Sequence, residues 1–249
     1  MSALEYGPSR SILERAAKAT AINRLHHAWM LTAIEAEPLE NLSRSLARQN
    51  LCLADEQAMK PGGCGVCQSC RQFDAGAHPD RFELIPDAKS TITVDAVRGL
   101  VGAIGLRPAL SASKVIIVSQ VETMNAAAQN ALLKTLEEPP DHVKFLFATT
   151  DSKKLPVTVL SRCLQFNLKN LSPEQIVRYL GIVLEKETVS YDEKALWQLG
   201  HAADGSMRDA LSLTDQAISY GGNEIRDASV KSMLGSIDHQ EVFDLVQEL

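Results

Sequence analysis

Four cysteines lie close together in the sequence, with the spacing that metal-binding loops use. Cys64, Cys67 and Cys70 follow one another with two residues between each pair, and Cys52 lies upstream of them. A C-x-x-C loop brings two thiolates to one point, and four thiolates satisfy tetrahedral Zn²⁺ without leaving a position open for a substrate. We therefore predict a structural zinc site formed by all four. A set of reduced surface thiols is the alternative, and His78 is a possible substitute ligand, although a histidine in an Ala-His-Pro loop is more often unrelated to a metal.

A second stretch has the position of a phosphate-binding loop but not its residues. Such a loop follows a buried strand and reads G-x-x-x-x-G-K-[ST]. Its backbone N–H groups surround the phosphates, while the lysine and the hydroxyl meet the γ-phosphate and Mg²⁺. Residues 33–40 contain no glycine and no lysine, and they carry three glutamates. Because carboxylates repel a polyphosphate, we predict that the chain does not bind ATP and Mg²⁺ here.

A later apolar segment lacks the acidic residues that a nucleotide hydrolase needs. Residues 115–118 lead into Ser119 and Gln120, at the place where Asp and Glu would hold Mg²⁺ and orient the attacking water. The first carboxylate after this segment is that of Glu122. Since two independent losses agree, we expect no ATPase activity from the chain itself.

The elements around these positions predict an α/β fold of the nucleotide-binding type. Residues 115–118 and 145–148 are apolar throughout, which is typical of parallel strands buried on both faces. Residues 164–168 alternate between apolar and polar and predict an edge strand. The segment 124–138 is rich in helix formers and ends before two prolines. The other strand candidates are 28–31 and 82–85, the other helix candidates of this half are 9–24, 39–51 and 95–104, and 60–70 is a predicted loop.

After residue 168 the sequence pattern is helical only. Ser172, Pro173 and Gln175 form a capping-box pattern at the start of the first helix. Further helices are predicted over 192–203, 206–220 and 227–234. We therefore divide the chain into an α/β domain over 1–169 that contains the cysteine module 52–70, a small helical domain over 170–236, and the beginning of a truncated domain over 237–249.

The composition excludes several classes of protein. The 249 residues are 45% hydrophobic and 22% charged, which is typical of a globular chain and not of a disordered or collagen-like one. The net charge of −6 argues against a whole-surface electrostatic interaction with DNA or anionic lipid. The first ten residues lack the pattern of a secretory signal, and no run of about 18 apolar residues occurs. We expect a cytoplasmic protein without membrane contact.

Several motifs together resemble the clamp loader of bacterial DNA polymerase III. They are Asn130-Ala131-Leu132-Leu133-Lys134-Thr135-Leu136-Glu137-Glu138-Pro139-Pro140, the segment 145–151, and Leu160-Ser161-Arg162-Cys163. The cysteine module fits as well, because the gamma/tau and delta-prime subunits of that family carry a zinc-binding insert of this type. The resemblance extends from about residue 26 to residue 249. It implies an AAA+ (RecA-like) domain, a helical lid domain, and the start of a C-terminal collar domain over 237–249.

The resemblance also assigns roles to individual residues. In this family the arginine of the Ser-Arg-Cys motif, here Arg162, contacts the γ-phosphate that a neighbouring subunit holds. A guanidinium in that place neutralises the charge that grows in the transition state of phosphoryl transfer. Thr149 and Thr150 match the first sensor and Arg208 the second sensor, which in gamma/tau touches ATP bound in its own subunit. Because the phosphate-binding residues are lost here, we expect these three to be vestigial.

The resemblance is divided between two subunit types. The loss of both nucleotide motifs is typical of delta-prime, the ATPase-dead member, and other segments resemble gamma/tau. The delta-prime-like segments are 75–80 and 94–98, and the gamma/tau-like ones are 148–151, 154–158 and 205–212. We expect a non-hydrolysing subunit that donates Arg162 to an adjacent ATPase. The alternatives are an ATP-hydrolysing gamma/tau-type subunit with an atypical pocket and a paralogue that serves only as a scaffold. The implied partners are the gamma/tau and delta subunits and, through the assembly, the sliding clamp and primer-template DNA.

Overall fold

The computed structural model describes residues 8–21, 25–55 and 60–235, which fall into two compact units over 8–169 and 170–235. The segment 237–249, predicted to begin a further domain, lies outside the described residues, as do the last three residues of the first predicted helix. None of the described helices combines the length and the apolar character needed to cross a lipid bilayer.

The first unit alternates helices and strands along the chain. Its elements are α1 (Pro8–Ala21), β1 (Ala28–Thr32), α2 (Ala36–Leu51), α3 (Gln68–Asp74), β2 (Arg81–Leu84), α4 (Val94–Ile104), β3 (Lys114–Ser119), α5 (Ala126–Glu137), β4 (Val143–Thr149), α6 (Val157–Leu160) and β5 (Leu164–Asn167). Short 3₁₀ turns at Val121–Thr123 and Ser152–Lys154 follow β3 and β4.

The five strands form one sheet in the order β2-β3-β4-β1-β5, and every neighbouring pair is parallel. This confirms the predicted five-stranded parallel sheet. The central strands β3 and β4 are buried along nearly their whole length, whereas β5 pairs only with β1 and is largely exposed, as the alternation of its residues predicted. Because all five strands run the same way, their carboxyl ends meet at one edge, where α/β proteins bind ligands.

Both faces of this sheet are covered, because successive side chains of a strand point to opposite sides. Met30, Ile116 and Phe147 contribute to a core that includes apolar residues of α4 and α5. Trp29 and Ile117 have the opposite parity and are also buried, and α2 packs against β3 and β4. The apolar runs of the central strands therefore reflect burial on two sides.

The structure corrects four helix predictions in this unit. Helix α2 begins at Ala36, three residues before the predicted start, because Pro38 is tolerated in a first turn. Helix α5 begins two residues later than predicted, since the side chain of Asn125 accepts a hydrogen bond from the amide of Ala128 and caps the helix. The predicted loop over 60–70 ends in α3, and the short α6 was not expected.

The second unit is a small helical domain with a minimal strand pair. Its elements are α7 (Pro173–Lys186), β6 (Ser190–Tyr191), α8 (Glu193–Ala202), α9 (Met207–Tyr220), β7 (Glu224–Ile225) and α10 (Asp227–Leu234). The capping box of Ser172 and Gln175 is present as predicted. The expectation of helices only was incomplete, because β6 and β7 form a parallel two-residue ladder. Such short strands leave no alternation for a sequence pattern to reveal.

Candidate functional site

The four predicted cysteines come together in the first unit and could hold a metal ion. The sulfurs of Cys52, Cys64, Cys67 and Cys70 all lie within 4.8 Å of one another. The Sγ atoms of Cys52 and Cys67 are 4.0 Å apart, and those of Cys64 and Cys70 are 3.9 Å apart. A tetrahedral ion with bonds of about 2.3 Å to sulfur would separate the sulfurs by about 3.8 Å. The donor set and its spacing therefore fit a closed four-thiolate site.

Backbone amides around the cluster favour thiolates. The amides of Cys67 and Cys70 donate to the sulfurs of Cys64 and Cys67, respectively, at 3.4 Å. Hydrogen bonds from the amides of Val66 and Cys67 lower the pKa of Cys64 to about 6. Burial raises the pKa of Cys70 to about 12. A bound cation would compensate for this loss of solvent at Cys70.

The fold of the loop is fixed by α2. The guanidinium of Arg48 donates from Nε to the carbonyl of Gly62 at 2.6 Å, and the buried Gln49 accepts from the amide of Gly62 at 2.8 Å. Gly63 has φ of +90°, and a Cβ there would lie 3.3 Å from both the carbonyl of Arg48 and the sulfur of Cys70. Glycine is therefore required at position 63 for the chain to pass so close to the cluster.

His78 lies outside the cluster and both nitrogens of its ring have partners. Its Nδ1 accepts from the amide of Asp80 at 3.1 Å, and its Nε2 lies 2.8 Å from the hydroxyl of Ser69. Burial lowers the pKa of His78. The neutral ring thus donates from Nε2 to Ser69, whose hydroxyl donates to the carbonyl of Leu51. The geometry gives His78 a structural place beside the module and does not make it a ligand.

The start of α2 does not form a phosphate-binding loop. Only residues 33–35 connect β1 to α2, so the positions that should wrap phosphates are already helical. Glu35 occupies the N-cap without a capping hydrogen bond from its side chain, and Glu37 lies in the first turn. Pro38 has no N–H, which removes one of the donors that make helix N-termini attractive to anions. Leu39, where the pattern requires lysine, is only 2% exposed and belongs to the core.

The end of β3 is also unlike a Mg²⁺ site. Ser119 ends the strand, and Gln120 follows in the left-handed conformation with φ of 52°. A cavity of about 450 Å³ lies here. It is lined by Glu40, Arg44, Glu83, Ile85, Pro86, Asp87, Ser90, Ile117, Ser119 and Gln120. Among the described residues its lining contains three carboxylates and one cationic side chain, so its charge is opposite to what a polyphosphate requires.

The residues that match the first sensor make local hydrogen bonds. Thr149 is buried at the end of β4, and its hydroxyl accepts from the amide of Asp151 at 3.0 Å. Thr150 donates from its hydroxyl to the carboxylate of Glu122 at 3.3 Å. This last contact was not foreseen, although Glu122 is the first carboxylate after β3. The two threonines therefore serve to close the turns that follow β3 and β4.

Arg162 lies between α6 and β5 and is held by two hydrogen bonds. It donates from Nη1 to the carbonyl of Thr158 and from Nη2 to Oε1 of Glu137, each at 2.6 Å. Its side chain is 31% exposed. The next residue, Cys163, packs against the core, and burial raises its pKa to about 12, which fits a packing residue and not a nucleophile.

Arg208 belongs to the second unit, where it is exposed in the first turn of α9. The positive end of the helix dipole disfavours a cation at this position. Its presence therefore has no explanation in the stability of α9.

Comparisons with known proteins agree with the two-unit organisation. The family described as DNA polymerase III, delta subunit, matches residues 9–172. The domain described as DNA polymerase III clamp loader subunit, ATPase lid domain, matches residues 175–223. The chain is 41% identical to DNA polymerase III subunit tau of Escherichia coli over 238 residues, which are 96% of this chain and 36% of that protein. It is 34% identical over 228 residues to DNA polymerase III subunit gamma of Buchnera aphidicola, covering 92% of this chain and 60% of that one.

Solved structures support the fold. A DNA polymerase III gamma subunit-related protein from Thermotoga maritima matches with a TM-score of 0.50 at 18% identity, over 80% of this chain and 56% of that one. The RuvB Holliday junction branch migration motor of Thermotoga maritima matches with a TM-score of 0.59 at 13% identity, over 92% of this chain and 69% of that one. At these identities the likeness concerns the fold alone, and it confirms the AAA+ architecture.

The sequence relatives are longer than this chain, which spans about a third of the tau subunit. The matched segments nevertheless include both units of the structure, with the sheet and the cysteine module in one match and α7 to α9 in the other. The chain therefore belongs to the DNA polymerase III delta subunit family, and its second unit is a clamp-loader ATPase lid domain.

Proposed function

We propose that this chain is a clamp-loader subunit of DNA polymerase III that does not hydrolyse ATP and that contributes Arg162 to the nucleotide site of an adjacent ATPase subunit. Its partners in this proposal are gamma/tau-type and delta-type subunits and, through the assembly, the sliding clamp and primer-template DNA. The proposed subunit acts in the cytoplasm.

The observation that carries the proposal is the connection from β1 to α2. A phosphate-binding loop needs backbone amides that face the ligand and a lysine that reaches it. Here α2 begins at Ala36, Pro38 has no amide hydrogen, and the side chain of Leu39 is buried in the core. The helical backbone, the missing amide hydrogen and the buried, uncharged side chain each oppose phosphate binding. They support a subunit without its own ATPase activity.

The position of Arg162 supports the second part of the proposal. Its guanidinium is partly exposed at the end of α6, while the cavity at the end of β3 in its own subunit is lined by carboxylates. An arginine that reaches a neighbour's γ-phosphate accelerates hydrolysis by about 10³- to 10⁵-fold in GTPases. The nucleotide site of another subunit is the place where Arg162 can do so.

We propose zinc as the ion of the cysteine cluster, in a structural role. All four ligands are thiolates, which zinc accepts in closed sites. The ion would hold residues 52–70 together, since few apolar side chains are buried in the described parts of this loop, 52–55 and 60–70. It would supply no chemistry to the nucleotide edge.

Titration with a fluorescent ATP analogue and Mg²⁺ tests the first part. We expect no saturable binding up to about millimolar nucleotide, and binding at micromolar concentrations would refute the proposal. Arg162→Ala and Arg162→Lys test the second part in an assembly with an ATP-hydrolysing gamma/tau-type subunit. Both should lower kcat strongly, because lysine keeps the charge but lacks the planar fork of donors. An unchanged kcat for Arg162→Ala would contradict the arginine-finger role.

A second candidate is an ATP-hydrolysing gamma/tau-type subunit with an atypical pocket. The identity of 41% to the tau subunit and the exposed Arg208 favour it. Micromolar binding of nucleotide would support it, and the variant Arg44→Ala would then test the one cationic side chain of the cavity lining. A scaffold-only role would be indicated if neither nucleotide binding nor an effect of Arg162→Ala were found.

A further inference from the structure

The carboxylate of Glu137 lies against the guanidinium of Arg162, with 2.6 Å between Oε1 and Nη2. We propose that Glu137 is a positioning residue that presents Arg162 to the neighbouring subunit. This proposal rests on the arginine-finger role proposed above. It concerns a different question, namely how a long, flexible side chain at the surface is kept in one place before the assembly's nucleotide arrives.

The location of Glu137 indicates that its charge serves a partner. Glu137 is the last residue of α5, and Glu138 is its C-cap. The negative end of the helix dipole disfavours carboxylates in the last turn, where cations are stabilising. Lys134 places one cation in this turn, and the guanidinium of Arg162 is the positive charge that Glu137 contacts.

The two hydrogen bonds of Arg162 fix the plane of its guanidinium. Nη1 donates to the carbonyl of Thr158, which belongs to α6, and Nη2 donates to Glu137 at the end of α5. Among the described residues these are its hydrogen bonds, so three of its five N–H groups remain for another acceptor. Arg162 can thus bind a phosphate oxygen without leaving Glu137, and less rotamer freedom is lost when it does.

Glu137 is distinguished from Glu138 by this contact. Glu138 is exposed and has no ion pair in the described part of the chain. The two residues share type, sequence neighbourhood and helix end, so Glu138→Ala is a matched control for Glu137→Ala. Glu137→Gln keeps an acceptor oxygen at the same distance and removes the charge, and it therefore serves as the conservative variant.

The test measures ATP hydrolysis by the assembly of this chain with an ATP-hydrolysing gamma/tau-type subunit. Because misplacement of a reacting group by about 1 Å costs about 10²-fold in rate, we expect Glu137→Ala to lower kcat by about 10- to 100-fold with little change in KM. Glu137→Gln should recover part of this loss, and Glu138→Ala should change kcat less than twofold. In the Arg162→Ala background, Glu137→Ala should have no further effect on kcat, because residues that act as a unit are not additive.

The outcomes separate the two proposals. If Arg162→Ala leaves kcat unchanged, the arginine-finger role fails. If Arg162→Ala lowers kcat while Glu137→Ala does not, or if the two losses multiply, only the positioning role fails. A loss of kcat that is equal in Glu137→Ala and Glu138→Ala would show a general effect on the end of α5 and would also overturn the positioning role.

The restraint that Glu137 places on Arg162 can also be measured in this chain without any partner. Relaxation of the Arg162 Nε–H group by NMR should show restricted motion in the unaltered chain and faster motion in Glu137→Ala, with no change in Glu138→Ala. Equal mobility of Arg162 in all three proteins would overturn the proposal independently of any assembly.

Discussion

The imidazole of His78 and the hydroxyl of Ser69 share a hydrogen bond of 2.8 Å that joins the cysteine loop to the sheet. Ser69 precedes Cys70 in α3, and His78 lies just before β2. Ser111, in the connection to β3, also donates to the carbonyl of Leu51, at 2.7 Å. The module is thereby fastened to α2 on one side and to the sheet on the other.

Asp80 is the electrostatic centre of this junction, and its charge should be essential for stability. It is fully buried and accepts hydrogen bonds of 2.6 to 2.8 Å from the amides of Ala109, Leu110 and Ser111. Asp80→Asn replaces an acceptor oxygen by a donor, so we expect a loss of about 2–4 kcal/mol in the free energy of unfolding at pH 7. Denaturation by urea measures it. Asp74→Asn, at an exposed ion pair, should cost less than about 1 kcal/mol.

The same carboxylate should make stability depend on pH. Burial alone would raise the pKa of Asp80, but the three amide donors prevail and lower it from the ordinary value of 3.8. A lowered pKa in the folded state contributes stability that is fully present above about pH 4 and is lost as the pH falls through the folded value. The stability difference between the unaltered chain and Asp80→Asn should therefore shrink below pH 4. A difference that stays constant down to pH 2 would contradict this.

Removal of the proposed zinc ion should loosen the cysteine loop without unfolding the sheet. An ion that cross-links residues 52–70 resembles a covalent link across a loop of this length, which is worth about 3 kcal/mol. For a chain of this size we expect chelation to lower Tm by about 6–12 °C. Metal analysis should give one zinc ion per chain, and Cys67→Ser should reduce it. Cys163→Ser is the control, since Cys163 packs against the core away from the cluster and should leave the zinc content unchanged.

Leu39 should behave as a core residue and not as a lost ligand position. It is 2% exposed, so Leu39→Lys would bury a cation among apolar side chains and should cost about 3–5 kcal/mol in stability. The adjacent Glu40 is exposed, and Glu40→Thr should change stability by less than about 0.5 kcal/mol. Neither variant should gain nucleotide binding. A stable Leu39→Lys protein that binds ATP would refute this account of α2.

Gly205 in the lid domain should tolerate substitution less well than Gly222. Both have positive φ, of 85° and 69°, so alanine costs about 1–2 kcal/mol of backbone strain at either site. At Gly205 a Cβ would also meet Cβ of Asn170 at 2.5 Å, whereas at Gly222 no atom lies within 4 Å. We expect Gly205→Ala to be the more destabilising of the two by about 1–3 kcal/mol in thermal unfolding. Equal losses would mean that Asn170 moves aside freely.

The sheet was predictable from the sequence because its strands are buried on both faces. Uninterrupted apolar runs such as 115–118 leave no other way to bury both sides. The strands β6 and β7 were not predicted because two residues cannot show an alternation of apolar and polar side chains. Helix α3 was not predicted because cysteine is not a usual capping residue. Its N-cap is Cys67, whose sulfur accepts a hydrogen bond from the amide of Cys70.

The candidate sites also differ in how close their residues lie in the sequence, and this decided which of them could be predicted. The cysteine cluster was predictable, since three of its members are close in sequence. The pairing of Arg162 with Glu137 spans 25 positions, and no local pattern announces it. Two glutamates at the C-terminal end of a helix were a usable signal, because that position calls for a cation. No sequence pattern indicated the hydrogen bonds between Asp80 and the amides of residues 109–111.

The separate placement of the two sites has a consequence for how this chain can diverge. The connection from β1 to α2 and the turn that carries Arg162 belong to different segments, and within the described ranges the guanidinium is held by α5 and α6. Neither of these hydrogen bonds involves residues 33–40, so we expect substitutions there to leave Arg162 in place. In the proposed role, the chain thus offers Arg162 to a neighbour whatever side chains its own segment 33–40 carries.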